Sequence, residues 1–241
     1  MSLAEVAVLR AALASPPAGA PLAARRAGFE AMMARASLVP STSTLRVALS
    51  TTLSAELVTP PGPDASRLLV WLHGGQFALG SAASYRSFAA RVSAAAGIAV
   101  LVPDYRLAPE NLFPAAHDDA ERALDWALAN AATVAIGGDL AGANLAVAAV
   151  QRHAGAPPAA LWLLSPYLDL THTAPSIAAR APVDPFVDPA EMDAVAARYL
   201  GGASPADPRA SSGSDRTRPC STMRRVLQDN CRTWCFSNGK A

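Results

Sequence analysis

Apolar residues along the middle of the chain follow two alternating patterns. Four short, unbroken apolar runs are typical of strands buried on both faces: residues 68–72, 98–102, 133–136 and 159–164. Three intervening segments carry apolar residues at helical spacing: residues 83–95, 117–130 and 141–153. Residues 45–59 alternate in part and predict a strand or a hairpin. This alternation of strands and helices predicts an α/β fold with a doubly wound, mostly parallel sheet.

The two ends of the chain differ from this middle. Residues 2–36 predict helices, interrupted at Ser15-Pro16-Pro17. Residues 211–241 are rich in serine and arginine and contain the only lysine and all three cysteines: Cys220, Cys231 and Cys235. Nothing in this last segment has a strand pattern, so the sequence predicts that the packed part of the chain ends near residue 210.

Length and charge narrow the classes of function. A chain of 241 residues can bury the core of one α/β domain, and a net charge of +1 gives no reason to expect nucleic acid or an anionic membrane as a partner. No signal peptide or membrane-spanning segment is apparent. Because the body of the chain contains no cysteine, we expect a cytoplasmic protein without disulfides.

Two weak motifs do not indicate a metal or a cofactor. The cysteines near the C-terminus have no fourth ligand to complete a tetrahedral zinc site. The glycines at residues 137 and 142 have the separation of a phosphate-binding loop, but Ala143-Asn144 stands where lysine and serine or threonine are required. We therefore expect no metal and no cofactor.

Three loops follow the predicted buried strands, at the edge where such sheets bind ligands. The first begins His73-Gly74-Gly75-Gln76, and its adjacent glycines let the backbone turn sharply and present N–H groups, as an oxyanion hole requires. The second, residues 104–110, reads D-Y-R-L-A-P-E. The third, residues 138–146, reads G-D-L-A-G-A-N-L-A and predicts a tight strand-to-helix turn with Leu140 at its apex.

In this order and at these spacings, the loops resemble the hormone-sensitive-lipase-like esterases of the α/β-hydrolase fold, whose motifs are HGGG-F-x-x-G-S, D-Y-R-L-A-P-E and G-D-S-A-G-G-N-L-A. The resemblance covers about residues 45–210. It implies a helical cap over residues 1–44, an incomplete core over residues 45–210 that lacks the last two strands, and an unrelated tail over residues 211–241. It also implies hydrolysis of small carboxylic esters by a serine nucleophile, without a cofactor.

The resemblance assigns roles to eight positions of this chain. Three backbone N–H groups match the family's oxyanion donors: those of Gly75, Gln76 and Ala141. Five further residues match its oxyanion loop and its nucleophile elbow: His73 and Gly74 in the loop, and Gly138, Asp139 and Gly142 in the elbow.

The sequence departs from the family where the chemistry should occur. Leu140 replaces the serine nucleophile, so the apex offers no lone pair. Gln76 replaces the last glycine of the oxyanion loop, where its side chain would crowd or distort the turn. The catalytic acid and histidine should follow the elbow, but none of the four histidines lies beyond residue 172.

None of these histidines is a good candidate for the missing base. His73 matches a structural position of the family's loop. His117 begins a predicted helix and is expected to be exposed, whereas His153 ends a helix, where a cation suits the helix dipole. His172 is expected at the surface or in the cap.

Three hypotheses about function follow. The first is a catalytically inactive remnant of an esterase, whose reading frame shifts near residue 210 and which leaves residues 159–164 as an aggregation-prone edge strand. The second is a non-catalytic small-molecule receptor on the same scaffold, as in the gibberellin receptors. The third is an active esterase whose sequence is misreported at residue 140 and after residue 210.

Overall fold

The computed structural model describes residues 20–36, 39, 41–182 and 188–211 of the chain. The strands in this part are β1 Ser43–Ala48, β2 Ser54–Thr59, β3 Asp64–Leu72, β4 Ile98–Pro103, β5 Thr133–Asp139 and β6 Ala160–Leu164. The helices are α1 Leu22–Met33, α2 Ala82–Ala96, α3 Ala115–Asn130, α4 Ala141–Arg152, α5 Pro175–Arg180 and α6 Pro189–Leu200. Every strand and helix predicted between residues 45 and 164 is confirmed, whereas α5 was not predicted.

The strands form one sheet in the order β1-β2-β4-β3-β5-β6. Strands β3, β4, β5 and β6 are parallel, and β1 and β2 form an antiparallel hairpin that extends the sheet beside β4. The prediction of a mostly parallel sheet is therefore confirmed. Of the two alternatives for residues 45–59, a strand or a hairpin, the structure has the hairpin. In the part of the chain that the structure describes, β6 is an outer strand with no pairing on its far side.

Helices cover both faces of the sheet. On one face, α3 and α4 pack their alanine and leucine side chains against alternate residues of β3, such as Val70 and Leu72. On the other face, α2 packs against the intervening residues Leu69 and Trp71. The apolar runs of β3 and β4 thus arise because both faces of these central strands are buried.

The predicted N-terminal cap is described only from residue 20, and its break at residues 15–17 lies outside the described residues, as do the three cysteines. Helix α6 begins at Pro189, and the Asp188 side chain caps it by accepting from the N–H groups of Ala190 and Glu191. In the described segments, no helix has the length and apolar character needed to cross a bilayer.

Candidate functional site

The turn between β5 and α4 is tight because two of its glycines lie against the end of β3. A Cβ atom on Gly142 would lie 1.9 Å from the carbonyl oxygen of Leu72, and one on Gly138 would lie 2.5 Å from the same oxygen. This close approach leaves the apex residue, Leu140, with φ 49° and ψ −112°, a conformation that is unfavourable for a residue with a Cβ atom. Its side chain points outward and is 50% exposed.

The glycine loop, residues 73–81, leads from β3 to α2. Gly75 has φ 125°, and a Cβ atom there would lie 2.2 Å from the carbonyl oxygen of Leu79. The Gly75 carbonyl accepts from the N–H groups of Ala78 and Leu79, at 3.0 and 2.8 Å. Among the described residues, none accepts a hydrogen bond from the N–H groups of Gly75, Gln76 or Ala141. The loop and the first residue of α4 therefore offer three free backbone donors.

A partly buried carboxylate joins the glycine loop to the elbow. Asp139 accepts from the Gly74 N–H at 3.0 Å and from the Tyr85 hydroxyl at 2.7 Å. Burial raises the pKa of Asp139, while the hydrogen bonds from Tyr85 and Gly74 act in the opposite direction. A Cβ atom on Gly74 would lie 2.3 Å from the Asp139 carboxylate, so this contact also requires the glycine. The structure thus brings the two predicted motifs together.

His73 lies wholly buried beneath the glycine loop. Its Nδ1 is 2.8 Å from the carbonyl oxygen of Gly74, and its ring stacks on Tyr105 with centroids 4.3 Å apart. The Tyr105 hydroxyl donates to the His73 carbonyl oxygen at 2.7 Å. Burial lowers the pKa of His73 from 6.5 to about 4, so the ring is neutral at pH 7.

The prediction that His117 is exposed is wrong. The first turn of α3 packs against α4 and α6, and this tertiary contact buries the ring. Its Nε2 is 3.2 Å from Asn144 Oδ1, which can only accept, so Nε2 carries the proton and Nδ1 accepts from the Tyr199 hydroxyl at 2.7 Å. The Asn144 amide nitrogen donates to the carbonyl oxygens of Tyr167 and Ala210, which fixes this orientation. Burial lowers the pKa of His117 to about 4.

Each of the two remaining histidines lies against the carboxylate of an aspartate. His172, which was expected at the surface or in the cap, has a side chain that is only 6% exposed. It lies between the Tyr167 hydroxyl, which contacts Nε2, and the carboxylate of Asp193 in α6, which is 2.7 Å from Nδ1. His153 follows the last residue of α4, as predicted, and its Nδ1 is 3.1 Å from Asp125 Oδ1.

Sequence reasoning missed the partner of Gln76. Its side chain does not lie across the loop but accepts a hydrogen bond from Arg25 of α1 at 2.7 Å. The backbone accommodates the substitution with φ 58°. Helix α1 contains three charged residues, Arg25, Arg26 and Glu30, and nothing in its sequence singles out Arg25 or pairs it with residue 76.

Acidic, histidine and cysteine side chains do not gather into a metal site in the described ranges. No group of three or more of them there is placed to hold an ion. The three cysteines, from which no metal site was expected, lie outside those ranges.

Comparison with known proteins gives one consistent result. The profile of the family described as having an alpha/beta hydrolase fold matches residues 69–227. An acetyl-hydrolase of Streptomyces hygroscopicus is 43% identical over 164 residues, which cover 66% of this chain and 54% of that protein. The carboxylesterase NlhH of Mycobacterium tuberculosis is 34% identical over 151 residues, which cover 58% of this chain and 46% of that protein.

Solved structures agree with the sequence comparison. The crystal structure of an esterase from the bacterial hormone-sensitive lipase family is 34% identical, with a TM-score of 0.78, covering 86% of this chain and 71% of that one. The chain spans about half the length of the curated relatives named above.

Proposed function

Since the chain belongs to the α/β-hydrolase-fold family, in its hormone-sensitive-lipase-like esterase branch, we propose that it retains an ester-binding site but does not hydrolyse esters. The observation that carries this proposal is the apex of the elbow. The strained turn that would present a nucleophile carries the hydrocarbon side chain of Leu140.

The retained part of the site is its oxyanion hole. The N–H groups of Gly75, Gln76 and Ala141 would bind the carbonyl oxygen of an ester or one oxygen of a carboxylate. Their freedom from acceptors in the described structure supports this assignment. Ala141 is also the first residue of α4, where the helix dipole favours a negatively charged oxygen.

The lost part is the chemistry of acyl transfer. Loss of one triad member lowers the rate by about 10⁴- to 10⁶-fold. Here Leu140 supplies no oxygen, and the four histidines of the sequence are held by other partners. A frame shift near residue 210 is still our explanation for the composition of residues 211–241, of which the structure describes only Ser211.

Hydrolysis of p-nitrophenyl butyrate by protein of this sequence tests the proposal. We expect a rate no faster than that with heat-denatured protein, and no labelling by a fluorophosphonate that reacts with activated serines. Leu140→Ser should not restore turnover, because the acid and the base are still lacking. A covalent acyl-enzyme on the unmodified chain would refute the proposal.

A receptor for a small ester or acid is a second candidate, favoured by the three free N–H groups beside an apolar apex. A ligand that binds only the folded state raises the melting temperature. If the chain is a receptor, butyrate or ethyl butyrate should raise it in a concentration-dependent way. If the melting temperature does not change over the same concentrations, the result favours the hypothesis of an inactive remnant.

A further inference from the structure

Helix α1 buries a charged side chain. Arg25 is the buried residue of this helix, with 7% of its surface exposed. A surface helix ordinarily turns apolar residues inward, and a charge is buried only where partners satisfy it. Arg25 has two such partners on its Nη2 atom: Gln76 Oε1 at 2.7 Å and Glu191 Oε1 of α6 at 2.5 Å. Helix α1 is thereby fixed both to the glycine loop and to α6.

Gln76, which accepts the hydrogen bond from Arg25, has an unfavourable backbone conformation. Gln76 and Phe77 both have left-handed backbones, with φ 58° and 57°, which residues with a Cβ atom rarely adopt. Phe77 is kept in place by its ring, which stacks on Tyr199 with centroids 3.9 Å apart. Gln76 is only partly buried, and its described side-chain partner is Arg25.

The next residue of α1 holds the same loop at a second point. Arg26 donates from Nε to the carbonyl oxygen of Ala78 at 2.8 Å and from Nη2 to that of Ala108 at 3.0 Å. Its guanidinium also pairs with the carboxylate of Glu110. Adjacent arginines therefore tie α1 to residues 76 and 78 of the glycine loop.

We propose that Arg25 is a positioning residue for the glycine loop. Its guanidinium, fixed by Glu191, holds Gln76 in the left-handed conformation that leaves the N–H groups of Gly75 and Gln76 free. Gln76, which replaces the family's glycine, is thus compensated by a residue 51 positions earlier in the chain. The functional meaning of this contact rests on the proposed oxyanion role, but the positioning itself does not.

Hydrogen exchange followed by NMR tests the positioning. The reporters are the N–H groups of Ala78 and Leu79, which donate to the Gly75 carbonyl, and of Ala108, which donates to the Phe77 carbonyl. In Arg25→Ala these amides should exchange roughly ten- to a hundredfold faster, because a charge-assisted hydrogen bond is lost, with little change in β5. Gln76→Ala, which leaves the pair of Arg25 with Glu191 intact, should give the same local effect.

Two further variants separate positioning from general destabilisation. Arg86→Ala removes the arginine partner of buried Glu56, a pair that includes no residue of the glycine loop, and should not accelerate the reporter amides selectively. In Gln76→Gly, the glycine adopts φ 58° without strain and needs no hydrogen bond to hold it. Adding Arg25→Ala in that background should therefore have little effect on exchange of the reporter amides.

The proposal is overturned if Arg25→Ala accelerates the exchange of all amides uniformly. It is also overturned if Arg25→Ala has the same local effect in the Gln76→Gly background as in the unmodified chain. Ester hydrolysis by the unmodified chain would refute the proposed function without affecting the exchange result.

Discussion

The elbow and the outer edge of β6 lie side by side, and both expose hydrocarbon, but for different reasons. The Leu140 N–H donates to the Leu164 carbonyl at 3.1 Å, and the two side chains are 50% and 37% exposed. Leu140 is exposed because close-packed glycines force the apex outward. Leu164 is the last residue of β6, which, among the described residues, has no strand on its far side. The first site has a strained backbone held by its neighbours, whereas the second is the end of a strand that lacks a neighbour on one side.

If packing fixes the elbow, filling its tightest contact should have the largest effect. Gly142→Ala would place a Cβ atom 1.9 Å from a backbone oxygen that cannot move without disrupting β3. We expect a loss of more than about 4 kcal/mol in the free energy of unfolding, enough to prevent folding of a marginally stable domain. Urea denaturation, or the loss of soluble folded protein, measures it.

Gly97→Ala is the matched control for this change. Gly97 also has a positive φ, 68°, but a Cβ atom there meets nothing within 4 Å. Only backbone strain of about 1 kcal/mol should result. Equal losses at the two glycines would show that close packing does not set the elbow.

The buried side of the elbow can be probed with acid. The folded-state pKa of His117 is about 4, below the ordinary 6.5, so the unfolded chain takes up the proton first. Its contribution to stability is complete above pH 6.5 and is lost as the pH falls towards 4. Between pH 8 and pH 5 this loss is about 2 kcal/mol.

His117→Asn should remove this part of the acid sensitivity. The free energy of unfolding, measured with urea, should fall between pH 8 and pH 5 by about 2 kcal/mol less in the variant than in the unmodified protein. This holds whatever the variant's stability at pH 8. Asp139, whose folded-state pKa is raised, acts with the opposite sign, and comparison of the two proteins cancels it. An unchanged pH dependence would contradict the burial of a neutral imidazole.

The same substitution at the two exposed leucines should have opposite effects. Leu140→Gly relieves a left-handed backbone and should stabilise the fold by up to about 1 kcal/mol. Leu164→Gly removes a half-buried side chain from a regular strand and should destabilise it by about 1 kcal/mol. The urea midpoints of the two variants measure this difference in stability. If both substitutions change stability in the same direction, the distinction between a strained backbone at Leu140 and a missing neighbour at Leu164 is lost.

The sequence was sufficient for the features that depend on local pattern. Runs of apolar residues located β3, β4 and β5, because central parallel strands are buried on both faces, and a similar run located the outer strand β6. Glycines at short separations located the loop and the elbow, since only glycine permits those close approaches of the backbone. The apex Leu140 and the lack of a histidine after residue 172 are properties of the sequence itself.

Tertiary structure alone decided which side chains are buried and what satisfies them. His117 lies in the first turn of an ordinary amphipathic helix, and it is buried against Asn144 and Tyr199, which are 27 and 82 residues away. Arg25 is paired with residues 51 and 166 positions distant. Hydropathy records what a residue prefers along its own element, whereas the partner of a buried polar group is set by how distant elements pack together.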